Sequence, residues 1–459
     1  MKKLTATGLA LVGALAVQAA KIEQVIVRQQ WPWSTDVKVE YRLSDVTTPV
    51  NISVRAFNGE TELPLPEQAI AGDLYGIVED GVGQFVIDPV AAFGNAKIAL
   101  ADFRVKLALS DGDADSLNEV LYRVYNLVSG TRTDITRKEL LNRKYGSCER
   151  SYTTFGEGFA TPLEDVLVWT GVTNDLAYMT TNLVLRKIPA TSQVWRVGDS
   201  DSVDSLPPKF VKLTEDYFIG VFPLTTEQHR LITGGAMETA LTEKMALPKD
   251  SLSVNVMRGT RTPTGSGKNL LLGMKTQEPI FWPTNSYVHD VGGNTVLASL
   301  RKKFGIDFDL PSEAQWEVAC RAGSTTPLYD GKPNGTGVEA LGWISTNSGK
   351  ALQRVGLKAP NAWGLYDLYG NVFELTSCLA GWDEDQANAG ETEAAPLVDP
   401  LGSAPTGGSD YIYKRGGSAE QNKSWATSSA RNYWFGWSEV KPFIGCRLVV
   451  PANGTAWKQ

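Results

Sequence analysis

Sulfur and imidazole are scarce in this chain, which carries four cysteines and two histidines among its 459 residues. Cys148, Cys320, Cys378 and Cys446 never fall at CxxC spacing, which argues against a structural zinc site. His229 and His289 lie far apart in sequence, so a Ser-His-Asp nucleophile is poorly supported. Positive charge is short too. The formal net charge is -7, and it becomes -9 once Lys2 and Lys3 leave with a cleaved leader. Without a basic cluster, nothing is available to displace counterions from a phosphate backbone, so no nucleic-acid partner is expected. After residue 20 no apolar run reaches the roughly 20 residues that a membrane helix needs, so no span is expected after signal cleavage. Internal repeats and low-complexity tracts are lacking as well.

What is present begins with Met1-Lys2-Lys3, an apolar stretch from Leu4 to Val17, and the small-residue pattern Val17-Gln18-Ala19. This reads as a cleavable secretory signal over residues 1–20 and an exported, periplasmic or secreted protein. The composition, 42% apolar and 21% charged, is that of soluble globular protein, and the length calls for two or three domains. With 44 glycines and 23 prolines, short strands joined by long ordered loops are favoured over helices. Val37, Val39, Tyr41 and Leu43 alternate with Lys38, Glu40 and Arg42, and Phe103, Val105, Leu107 and Leu109 repeat the pattern. Residues 21–110 are therefore expected to form an all-β sandwich resembling immunoglobulin or fibronectin modules, either adhesive or simply stabilising. Asn58-Gly59 and Asp80-Gly81 supply turns, and residues 111–180 read as a connector.

The richest information lies further on, in Phe308-Asp-Leu-Pro-Ser-Glu-Ala-Gln-Trp-Glu317, in Asp367-Leu-Tyr-Gly-Asn-Val-Phe-Glu374, in Arg415-Gly-Gly-Ser418 and in Gly445-Cys-Arg447. Ser312 followed by Gln315 fits a capping box, and Thr225 or Thr226 can cap an earlier helix. In order and wording these segments resemble the formylglycine-generating enzyme (sulfatase-modifying factor) family. The resemblance implies an α+β, irregular, loop-rich domain of C-type-lectin-like topology over residues 181–450. It also implies one structural calcium ion held at Asp367, Gly370, Val372 and Glu374, where carboxylates and turn carbonyls would meet the six to eight oxygens this hard cation takes. Against this stands the simpler reading that Asp367 and Glu374 cap turns.

Aerobic members of the family use two cysteine thiolates to hold Cu(I), and soft thiolates suit that ion. Counting from Ser418, those positions fall here on Gln421 and Ala426, so no copper and no catalytic residue is expected. Cys446 stands where relatives carry Phe, as a core replacement. The three-histidine iron site of related sulfoxide synthases cannot be assembled from His229 and His289. Cys320 and Cys378 flank the motifs and are the preferred disulfide pair, with buried free thiols as the alternative. Ser418, Gln421, Trp425, Ala426, Arg431 and Trp434 remain as a binding groove whose aromatic and polar groups suit a peptide, a glycan or another envelope component. The expected function is a ligand-binding or structural pseudoenzyme. The alternative is an active sulfatase-modifying enzyme acting on exported sulfatases.

Overall fold

The computed structural model describes residues 19–29, 34–94, 102–151, 166–200, 202, 205, 207–238, 240–259, 262–263, 269–270, 291–333, 336–379, 390–400, 412–432, 436 and 438–454. The signal expected at residues 1–20 lies outside these, apart from its last two positions. The chain divides into two compact units, one holding residues 1–119 with 141–144, the other 120–140 with 145–459.

The first unit holds β1 (Lys21–Gln29), β2 (Val37–Ser44), β3 (Val50–Asn58), β4 (Thr61–Leu63), β5 (Ile70–Gly72), β6 (Gly81–Ile87) and β7 (Phe103–Asp111). They form two sheets, ordered β1-β2-β6-β5 and β4-β3-β7. The alternation read from the sequence decides which face is buried: Val39, Tyr41 and Leu43 turn inward with Phe85 and Ile87 onto Val50 and Ile52 of the other sheet. Gly83 sits across from Tyr41, where an added Cβ would lie 2.1 Å from the phenol oxygen, so only glycine admits the ring. That hydroxyl donates to the Asp73 carbonyl at 2.5 Å. The Asn58-Gly59 turn joins β3 to β4 with Gly59 at φ 60°.

In the second unit the largest sheet runs Val449–Pro451, Tyr217–Gly220, Asn182–Ile188, Val120–Asn126, Arg132–Thr136, antiparallel throughout. Two of these strands lie in the stretch read as a connector, where no strand was expected, and the division between the two units falls at residue 119/120. The physical reason is burial on both faces: Leu121, Tyr122, Arg123, Val124 and Tyr125 are all inside, and a strand buried on both sides shows no alternation. A second sheet has the order Arg431–Asn432, Ile412–Arg415, Phe373–Leu379, Ile444–Gly445. The helix Thr226–Ile232 opens on Thr225, and the helix Glu313–Arg321 opens on Ser312. Each has the reciprocal capping box, with Gln228 and Gln315. Every residue of Glu313–Arg321 is buried, its carboxylates included.

Candidate functional site: an ion network beneath a packed groove

A buried helix that carries Glu313 and Glu317 must bring cations with it, because an unpaired carboxylate in the interior costs several kcal/mol or neutralises itself. The second sheet supplies them. Arg415 reaches Glu317 through one terminal nitrogen and Glu313 at 3.3 Å through the other. Arg431, on the neighbouring strand, grips Glu313 with two bonds of 3.0 and 2.8 Å. Arg321, one turn along the same helix, donates to Glu317 at 2.8 Å. Burial works to raise the Glu317 carboxyl, but the Arg321 and Arg415 guanidiniums beside it outweigh that and hold it below the usual carboxylate range.

Trp316 carries the chain of contacts onward. Its ring lies 5.3 Å from the Arg415 guanidinium carbon, and its Nε1–H donates to Glu374 Oε2 at 2.6 Å. Glu374 in turn takes two bonds from Arg447, at 2.7 and 2.8 Å. Arg447 is fully buried and also donates to the carbonyls of Gly220 and Tyr366, each at 2.8 Å. All four motifs that carried the resemblance thus meet in one buried network.

This arrangement bears on the calcium expected at Asp367, Gly370, Val372 and Glu374. Among the described residues, Glu374 Oε2 accepts from Arg447 and Trp316 and Oε1 accepts from Arg447 alone, so a cation there would meet a carboxylate already paired with a guanidinium. Asp367 differs: Oδ2 accepts from the Gly356 N–H at 2.7 Å and Oδ1 from the Asn371 amide at 3.3 Å, and burial pushes its carboxyl up to about 6. Gly370, at φ 74°, lies so close to Trp343 that an added Cβ would sit 1.9 Å from its carbonyl oxygen, and Val372 is buried. Calcium at these four positions would have to share Glu374 with Arg447.

Protein groups tie the loop down as well, with Asn371 at the centre. Its side chain bonds both ways to the Gln353 backbone at 3.0 Å, its N–H donates to Trp343 at 2.8 Å, and its carbonyl accepts from Ala419 at 3.0 Å. Sequence reading passed over Asn371. Its neighbour Gly370 and its position after a tight turn were the available signals.

The groove residues separate into three groups. Gln421 and Trp425 are half-buried: the Gln421 carbonyl accepts from the Ser345 N–H at 2.9 Å, and the Trp425 ring meets Phe373 edge-on at 6.3 Å. Ser418 and Ala426 are completely buried, and the Ser418 hydroxyl finds no hydrogen-bond partner among the described residues. The Arg431 guanidinium is turned to Glu313 and lies 3.6 Å from the Tyr413 ring centroid. Trp434 lies outside the described residues, as do Trp437 and His289.

On the sheet face opposite the ion network, the Lys414 ammonium donates to the Asn432 side chain at 2.7 Å. Burial, with Lys441 nearby, brings it down to about 8. His229 is half-buried, and burial with Lys249 lowers it to about 4. The described thiols, Cys148, Cys320 and Cys446, are buried, and Cys320 and Cys446 are free. Cys320 donates to Ser428 at 3.6 Å and is pushed up to about 12 by burial, so the expected pairing with Cys378 is corrected; the Cys378 side chain lies outside the described residues. Cys446 sits in the core, and burial raises it further still.

Comparison with known proteins places these features. The formylglycine-generating enzyme of Bos taurus is 33% identical over 130 residues, covering 25% of this chain and 31% of that protein; the chain spans about a third of the length of this curated relative. Among solved structures, Treponema denticola variable protein 1 is 21% identical with a TM-score of 0.40, the match covering 59% of this chain and 95% of that one. PvdO from Pseudomonas aeruginosa is 20% identical with a TM-score of 0.37, covering 59% and 94%. The family model for the sulfatase-modifying factor enzyme 1-like domain matches residues 187–452. That match takes in more than half of the chain and every motif of the buried network, and the chain belongs to the sulfatase-modifying factor family, with an α+β formylglycine-generating-enzyme-like domain behind a β-rich N-terminal region.

Proposed function

We propose that this chain is an exported ligand-binding or structural module on a formylglycine-generating-enzyme-like scaffold, not an oxidase. One observation carries the reading: Gln421 and Ala426 occupy the places where the resemblance puts the two thiolates. An amide and a methyl group offer no soft anionic donor. Cys320 and Cys446 are packed in the hydrophobic core, where burial raises both thiols. Gln421, Trp425 and Asn432 leave a half-exposed aromatic and amide surface suited to a sugar ring or a peptide.

The competing reading is formylglycine formation on exported sulfatases, favoured by the 33% identity to the bovine enzyme. Incubating the purified protein with Cu(I), oxygen and a Cys-x-Pro-x-Arg peptide separates the two. Mass spectrometry is expected to find the peptide unchanged. An aldehyde product formed with turnover would establish the enzyme and end the proposal.

A further inference from the structure

We propose that the N-terminal sandwich is a dimerisation module in which β1 pairs antiparallel with β1 of a second copy of this chain. β1 is an edge strand, hydrogen-bonded to β2 and, among the described residues, to no other strand. The short edges β4 and β5 have three residues each, while β1 has nine. Its single irregularity falls between Ile22 and Gln24, which leaves Gln24 to Gln29 as regular ladder. Proteins guard such an edge with proline, charge or a bulge at its centre; this stretch has no proline and no central bulge, and its one charge, Arg28, is on the outer face paired with Glu40.

The exposed edge also leaks core. Register sets Val25 and Val27 opposite Tyr41 and Val39, on the inner face, yet they are 36% and 38% exposed. Across the sandwich, β7 is the edge of the other sheet and lies beside β1. Its inward residues Val105 and Leu107 are only half-buried. Both sheets therefore stop short on the same side, and an added strand there would complete the apolar layer.

The strand's own sequence identifies the occupant. In a continuous two-fold sheet, residues facing each other across the axis lie on the same face, so the axis must pass through a residue. Centred on Ile26, the pairing sets Val25 against the partner's Val27, Ile26 against the partner's Ile26, Gln24 against the partner's Arg28 and Glu23 against the partner's Gln29. Apolar meets apolar, polar meets polar, and no like charges oppose. Centred on Val25, it would set Ile22 against an arginine and Glu23 against a valine. Centred on Val27, it would set Ile26 against an arginine. One register of the three is self-complementary, and it buries the exposed valines.

Sedimentation equilibrium of the full chain from about 1 to 100 μM tests this over the range where a modest interface dissociates. The wild type is expected to pass from monomer to dimer, and Val27→Lys to remain monomeric with an unchanged melting transition. Val82→Lys, on the outward face of β6 where Val82 is 64% exposed, is expected to dimerise like the wild type. Amide exchange at Val25 to Arg28 is expected to slow with concentration in the wild type alone. A wild type that stays monomeric throughout overturns the proposal, as does a Val27→Lys protein that still dimerises. Protection of β1 that appears only when a different protein is added would also overturn it.

Discussion

The two faces of the sheet that carries Ile412–Arg415 teach different lessons. Arg415 points inward to Glu313 and Glu317, whereas Lys414, the residue before it, points outward to Asn432 beside the groove. The inner face holds every motif by which the family is recognised. The loop that follows this strand holds Gln421 and Ala426 where the resemblance calls for thiolates. Recognition by motif is therefore recognition of a scaffold: the residues that make the family legible hold helix and sheet together, and the chemistry sits in short segments that change without disturbing them.

The sharpest break in this comparison is a loss on the inner face. Arg415→Met removes a cation from between two buried carboxylates, and breaking such a pair from one side costs about 3–5 kcal/mol. Chemical denaturation is the measurement, and a loss below about 1 kcal/mol would show the network to be incidental. Next in size comes Trp316→Phe, which keeps an aromatic ring, though a smaller one, and removes the N–H held by Glu374; leaving a charged acceptor short of one donor is expected to cost about 1–3 kcal/mol in the same measurement.

A third effect depends on pH. Burial raises the Asp367 carboxyl from 3.8 to about 6, so the folded protein holds this proton more tightly than the unfolded chain does. Its contribution to stability is fully present below about 3.8 and is lost as pH rises through about 6. His229 acts in the opposite sense: lowered from 6.5 to about 4, it withdraws stability as pH falls through that window. The informative quantity is therefore the difference between wild type and Asp367→Asn, which is expected to grow in the variant's favour between pH 4 and 7 by about 1–3 kcal/mol. A flat difference would mean that a bound cation keeps Asp367 ionised. The smallest expected effect is that of a chelator: EGTA is expected to move the melting temperature by less than about 2 °C, and a larger drop would restore calcium to the Asp367 loop.

Much of the scaffold could be read from local pattern. The alternation in β2 named its buried face, and Ser312 with Gln315 named a helix start, because both signals lie within a few residues. The strand Val120–Asn126 was hidden because both of its faces are buried. The network was hidden for a different reason: Glu313 and Arg431 stand 118 residues apart, and nothing near either shows that they will meet. For the same reason the sequence did not show that Arg431 would pair with Glu313, or Glu374 with Arg447. Spacing indicates which atoms are available, and burial decides which partner takes them.

The most direct test of a retained scaffold without its thiolates is a competition titration with Cu(I), comparing the wild type with the Gln421→Cys/Ala426→Cys variant. The account predicts that the wild type takes up no tightly held copper and that the variant, with an unchanged melting transition, binds one ion per chain. A wild type that binds one Cu(I) per chain tightly would contradict it.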